Sequence, residues 1–273
     1  MKRIAFALCL LLAGCGQKDE DSWLGYAEGD NAFIAAPQAG WLAHLAVQRG
    51  DAVKAGDLLF TLDDTSQASA RDQANAAIAL ANAQRIAAEA NLALTQKELV
   101  RQGNLLAEKA GTKQAYDVAK ASYDSAAAQV SQIDAQIAQA RASLTGAAYQ
   151  LSERDVVSRA TGRVEDVFFR TGEYAPAMTP VVSILPPENV YVRFFVPESQ
   201  FAHIRLGQRV AISCDGCAPG LTATITFIAQ QEEFTPPVIF SIGSREKLVF
   251  KIEARTPHGL KLNPGQPVDV RPL

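Results

Sequence analysis

The hydrophobic positions of this chain change their spacing three times. From Phe33 to Leu62 apolar residues stand in short runs broken by Gly40, Gly50 and Gly56, the pattern of brief strands joined by tight turns. From Ser66 to Gln150 proline is absent, alanine dominates, and Gln, Asn and Lys fill much of the rest; this is helix-forming content. The strand pattern then returns. After Pro186-Pro187, Val, Ile and Phe alternate with polar residues between Pro and Gly turns. Strands are predicted over 190–196, 222–228, 248–253 and 266–270, with a short helix over 197–206 that Pro197 opens and Gly207 ends.

The helical stretch carries a heptad. Tyr116, Tyr123, Val130, Ile137, Leu144 and Leu151 recur every seven residues, and Ala119, Ala126, Ile133, Ala140 and Ala147 recur three positions later. These are the two seam positions of a coiled coil. An earlier arm has a weaker seam: Ile78, Leu92, Leu99 and Leu106, interrupted by Arg85, with Ala74, Ala81 and Ala88 beside them. The pattern lapses between Gly103 and Gly111, where the chain is expected to turn. Arms of about 38 residues make a hairpin roughly 55–60 Å long. Two helices cannot enclose a core of their own, so the hairpin is an insertion rather than a bundle.

What it interrupts is a repeat. Gly40, Leu42, Leu45, Val47, Gly50 and Asp51 match Gly162, Val164, Val167, Phe169, Gly172 and Glu173 at a constant shift of 122 residues. Leu59, Phe60 and Leu62 match Val181, Val182 and Ile184 at the same shift. A repeat split in this way describes one small β domain built from two halves.

Composition narrows the function. Of 273 residues, 48% are apolar and 20% charged, and the formal charge is −3; this is a globular chain without the basic face a nucleic-acid binder needs. Lys2 and Arg3 precede an apolar run, Ile4 to Leu12, that is too short to span a bilayer. Ala13 and Gly14 lead to Cys15. This reads as a secretory signal over 1–14 with lipidation of Cys15, followed by a polar tether over 15–30. Gly16 and Gln17 follow the cysteine, so no acidic sorting residue stands directly after it.

Cys214 and Cys217 form a Cys-Asp-Gly-Cys sequence between strand-like segments. A redox pair belongs before a helix in a βαβ unit, and a zinc site needs about four ligands. A local disulfide across the Asp-Gly turn is the reading adopted, in keeping with an oxidising compartment. His44, His203 and His258 have no metal-spaced partners. No phosphate loop or nucleophile motif occurs. No metal, cofactor or enzymatic activity is therefore expected.

The two half-motifs resemble the halves of a biotinyl/lipoyl domain. In such carriers the halves meet at a turn bearing the modified lysine; here the linking point, Asp63 to Ser152, holds the helical arms and no lysine stands at the expected place. A split lipoyl-like domain, an α-hairpin and a β-barrel together resemble the HlyD-like periplasmic adaptors, or membrane fusion proteins. At the hairpin turn that family's channel-contact motif is Arg, Leu four residues on, and Ser seven further. Arg101, Leu105 and Thr112 keep the spacing, with Thr in place of Ser. Glu233 to Pro237, Arg245, Leu248 to Phe250 and Leu262 to Val268 resemble adaptors of ABC exporters.

The resemblance implies a fold of mixed α and β. A split lipoyl-like β domain (31–65 and 152–187) is interrupted by a long antiparallel coiled-coil α-hairpin (66–151). An antiparallel β-barrel (188–235) and a membrane-proximal β domain (236–273) follow. It implies a ring, of six copies, that links an inner-membrane ABC exporter to a TolC-like outer-membrane channel. The protein would be held in the periplasm by its lipid, at the inner membrane. A proton-driven pump of the resistance-nodulation-division (RND) class is the alternative partner, and a biotinyl or lipoyl carrier the distant alternative.

Overall fold

The computed structural model describes residues 22–234 and 248–273. In chain order the strands before the hairpin are β1 (Trp23–Gly29), β2 (Ala32–Ala35), β3 (Gly40–Leu45), β4 (Ala52–Val53) and β5 (Leu58–Leu62). Helices α1 (Thr65–Ala107) and α2 (Lys113–Ser152) follow. The chain returns through β6 (Asp155–Val157), β7 (Gly162–Val167), β8 (Tyr174–Ala175) and β9 (Pro180–Leu185). A 3₁₀ turn (Pro187–Asn189) leads to β10 (Val190–Pro197), α3 (Glu198–Phe201), β11 (Arg209–Ser213), β12 (Leu221–Phe234), β13 (Leu248–Arg255) and β14 (Pro267–Pro272).

The split repeat forms two four-stranded sheets, in the orders β2-β9-β7-β4 and β6-β5-β3-β8. The 122-residue shift carries each strand of one sheet onto a strand of the other: β2 onto β6, β4 onto β8, β3 onto β7, β5 onto β9. Internal symmetry reaches the hydrogen bonds. Gln48 N–H donates to the Asp51 carboxylate at 2.7 Å, and Arg170 N–H donates to the Glu173 carboxylate at 2.8 Å. The acid after each repeated glycine thus pins its own turn. Both glycines take left-handed backbone, φ 96° at Gly50 and 90° at Gly172, which a side chain would disfavour. Leu42, Leu59, Phe60, Leu62, Val164, Val181, Val182 and Ile184 fill the space between the sheets. Each half alone would leave its apolar face in water, so the halves fold only together.

The hairpin leaves this domain where β5 pairs with β6 (Phe60 with Val156, Thr61 with Asp155). Arg154 plugs the junction: it is buried and donates through Nη1 to the Ala39 carbonyl at 2.9 Å. The arms are longer than the heptad lapse indicates, 43 and 40 residues, or about 60–65 Å. Every seam position of both arms is buried or half-buried, with Ala81, Ala88, Ala119, Ala126, Ile133 and Ile137 the most enclosed. Small alanines let the helices approach closely. The interruption at Arg85 is resolved across the hairpin: Nε of Arg85 pairs with Asp134 at 2.7 Å, and its Nη2 with Glu89 at 3.0 Å. The turn is tighter than 103–111. Helix α1 continues through Gly103 to Ala107, and Glu108 to Thr112 connect the arms.

Two expectations about the remaining strands give way to the structure. Residues 23–29, assigned to a polar tether, form β1. Residues 248–273, assigned to a separate membrane-proximal domain, pair with the strands before them. One closed barrel results, in the order β1-β10-β13-β12-β11-β14, with β1 and β14 closing the ring. Both changes have one physical cause: closure satisfies every edge strand, and β1 supplies the strand that closure needs. Its Trp23 stacks on Phe194 (5.6 Å between centroids) and donates its indole N–H to Gln200 on α3. The core of the barrel includes Val192, Phe194, Val210, Ile225, Ile252, Ala254 and Val270. Cys214 and Cys217, in the β11–β12 connection, form a bonded pair with Cα atoms 5.3 Å apart. Gln266 Nε2 approaches their sulfurs at 3.5 and 3.6 Å.

Candidate interaction site at the hairpin tip

The tip is sealed by backbone geometry. Lys109 N–H donates to the Leu106 carbonyl at 3.1 Å, and Ala110 N–H donates to the Leu105 carbonyl at 2.8 Å. This crossed pair is the Schellman closure of a helix, which ordinarily uses glycine at the left-handed position. Here Lys109 occupies it, at φ 59°. Two residues after Ala110, Thr112 starts the return helix: its hydroxyl oxygen accepts the Ala115 N–H at 3.1 Å. A hydroxyl at this position serves as an N-cap.

The three residues of the expected contact motif therefore stand together at one end of the hairpin, with different tasks. Arg101 lies on the outside of α1, its side chain 66% exposed, and pairs with Glu98 one turn back. Leu105 is half-buried against the turn, and a Cβ at position 111, where Gly111 stands, would lie 3.1 Å from the Leu105 Cβ. Thr112 is exposed and has its oxygen committed to the cap. Arg101 offers free donors, Leu105 an apolar edge, and Thr112 a hydroxyl proton. Beside them runs a groove of about 450 Å³ between the arms, lined by Thr95, Glu98, Gln102, Thr112 and Val118 among others.

Sequence reasoning missed Glu98, Gln102 and Lys109. Glu98 sits three residues before Arg101 and four before Gln102, and accepts from both; Gln102 Nε2 donates at 2.9 Å. The hydrogen bond from Gln102, followed by the Arg101 contributions, holds the Glu98 carboxyl below its usual range. The i, i+3 and i, i+4 spacing was a usable signal. Lys109 carried none, because its left-handed backbone appears only in the fold. Cys15 lies outside the described residues. Among the described residues no cluster of His, Cys, Asp or Glu could hold a metal ion, and no helix is long and apolar enough to cross a membrane.

Residues 77–153 match the family described as RND MFP, alpha-helical hairpin domain. The colistin resistance protein EmrA of Acinetobacter baumannii is 27% identical, over 89% of this chain and 83% of that protein. A membrane protein of Acidithiobacillus ferridurans, named for the asrC 5' region, is 30% identical over 132 residues, 46% of this chain. The matched stretch is only 38% of that relative's length, and 61% of the length of the uncharacterized protein YdhJ of Escherichia coli. Among solved structures, MacA from Actinobacillus actinomycetemcomitans superposes with a TM-score of 0.69 at 20% identity, over 93% of this chain and 79% of that one. The hairpin is thus similar to that family's, and the fold as a whole is similar to that of MacA.

Proposed function

We propose that the chain is the periplasmic adaptor of a tripartite export system. It couples an inner-membrane ABC exporter to a TolC-like outer-membrane channel. The carrying observation is the hairpin itself. Arms of 43 and 40 residues put Arg101 and Leu105 some 55–60 Å from the β core, and an arm of that length does nothing for the stability of a domain closed at its base. Its action is mechanical: copies assemble as a ring of six, the β domains face the pump, and the tips meet the channel. No bond is made or broken. Cys15, acylated after removal of 1–14, anchors the ring to the inner membrane. Arg101 offers forked donors to channel carbonyls, Leu105 enters an apolar groove, and Thr112 supplies a hydroxyl.

Chemical crosslinking in cells followed by co-purification tests this reading. Recovery of an ABC exporter and an outer-membrane channel is the expected result. Full export by the Arg101→Asp, Leu105→Asp double variant would defeat the docking role. Loss of palmitate label in Cys15→Ser, with release from the membrane fraction, is the expected outcome for the anchor.

A second reading keeps the adaptor and changes the pump to one of the RND class; the description of the matching hairpin family favours it. The pump that co-purifies decides between them. A carrier role predicts an intact mass raised by a cofactor on lysine, whereas the adaptor gains only lipid.

A further inference from the structure

We propose that Glu98 is a positioning residue for Arg101, holding its guanidinium beside the groove between the arms so that docking meets an arginine already aimed. The inference rests on the docking reading of the tip. Arg101 has a long flexible stem, and its side chain on α1 leans back toward the preceding turn. That turn carries Glu98. The Glu98 carboxylate divides its two oxygens, accepting Arg101 Nη2 at Oε2 and Gln102 Nε2 at Oε1, the latter at 2.9 Å. Gln102 thereby keeps the carboxylate from swinging with the arginine it holds.

Burial follows the same order. The Arg101 side chain is 66% exposed and that of Glu98 39%. Glu98 and Gln102 line the groove along with Thr112, Ala115 and Val118, and Glu98 is the only charged residue of that lining. Arg101 stands outside it. The carboxylate thus draws the guanidinium to the groove's edge. It engages Nη2 and leaves the Nε and Nη1 donors of the fork for a partner. A channel segment entering the groove would meet a cation fixed in place. Fixing a rotamer before binding removes part of the ordering cost of association.

The test is a double-mutant cycle on Glu98 and Arg101. The immobilised full-length adaptor is measured by surface plasmon resonance against the detergent-solubilised TolC-like channel of the same organism. Circular dichroism confirms that each variant keeps its helix. Glu98→Ala is expected to weaken binding about two- to fivefold, the scale of an exposed helical ion pair. Glu98→Gln, which still accepts a hydrogen bond without charge, should fall between. In an Arg101→Ala background Glu98→Ala should have no further effect, an outcome that a merely structural role for Glu98 would not produce. Unchanged or tighter binding by Glu98→Ala, while Arg101→Ala weakens it, overturns the positioning role and leaves docking intact. Unchanged binding by Arg101→Ala sinks the docking reading, and the positioning role with it.

Discussion

Gly50 and Gly172 each bind the other's half of the split domain. The Gly50 N–H donates to the Val164 carbonyl at 2.9 Å, and the Gly172 N–H donates to the Leu42 carbonyl at 2.8 Å. The next residues repeat the exchange: Val164 N–H donates to Asp51 and Leu42 N–H to Glu173, both at 2.8 Å. Neither half keeps its turns to itself, and the hairpin takes no part. Removing residues 65–152 and joining the ends with a short turn should therefore leave both sheets folded, because β5 and β6 are already paired at that point. Circular dichroism and a cooperative thermal transition check it. A shortened chain that shows neither strand signal nor transition would mean that the halves need the helices between them.

Repeats and heptads were legible because each writes a period into the sequence. Gly40/Gly162 and Gly50/Gly172 fix the repeat, and Tyr116 to Leu151 fix the second arm. The barrel was only half legible. β13 and β14 alternate just as β10 and β11 do, and alternation says nothing about which strands share a sheet. β1 was hidden by its own composition, Trp-Leu-Gly-Tyr-Ala-Glu-Gly, since glycine argues against a strand. At the tip, Arg101, Leu105 and Thr112 were found from spacing. The cap made by Thr112 and the brace made by Glu98 depend on the fold's local geometry.

Gly25 is required where it stands. A Cβ there would lie 2.4 Å from the Arg193 carbonyl oxygen and 2.7 Å from Phe194 Cβ, both on the paired strand β10. Gly25→Ala must push β1 away from β10, or open its pairing with β14. Overpacking of this kind costs about 1–3 kcal/mol. Denaturant unfolding monitored by tryptophan fluorescence reads it, since Trp23 lies on the same strand. A variant as stable as the parent would show that β1 is not held as closely as described.

Lys109 carries left-handed backbone at φ 59° within the hairpin turn. A residue with a Cβ pays about 1–2 kcal/mol for that conformation and glycine does not. Lys109→Gly should therefore stabilise the turn by roughly 1 kcal/mol, lowered somewhat by the greater freedom of glycine in the unfolded chain. Hydrogen exchange at Ala110 and Gly111, whose N–H groups both donate to Leu105, is the direct readout. It should slow; faster exchange would mean that the lysine side chain itself holds the turn.

Tyr191 joins β1, β10 and β13. Its hydroxyl donates to Glu28 at 2.7 Å and accepts from Arg193 at 3.0 Å, and the Arg255 guanidinium lies over its ring at 4.1 Å. Burial, reinforced by the hydrogen bond to Glu28, pushes its hydroxyl above the ordinary tyrosine range. A raised value means that the folded state keeps a proton the unfolded chain releases near pH ~10. The associated stability is whole below that pH and is lost as pH rises above it. Urea unfolding from pH 8 to 11 should show a decline that is shallower in Tyr191→Phe. Equal slopes in parent and variant would remove Tyr191 as a source of the alkaline loss.

Cys214 and Cys217 close a loop with a sequence separation of only 3. Chain entropy then limits the stabilisation to about 2 kcal/mol, because the gain grows with the logarithm of loop length. Position adds a second effect. Both sulfurs pack on the barrel core, and Gln266 reaches them while its carbonyl accepts the Ala27 N–H at 2.9 Å. The pair therefore braces the region where β14 meets β1. Reduction should lower stability by up to ~2 kcal/mol without unfolding the barrel, and Cys214→Ser with Cys217→Ser should match the reduced protein. Urea unfolding with and without a dithiol reductant measures the loss. Two free thiols per chain in protein purified without reductant, with no response to reductant, would show that the pair is not a disulfide.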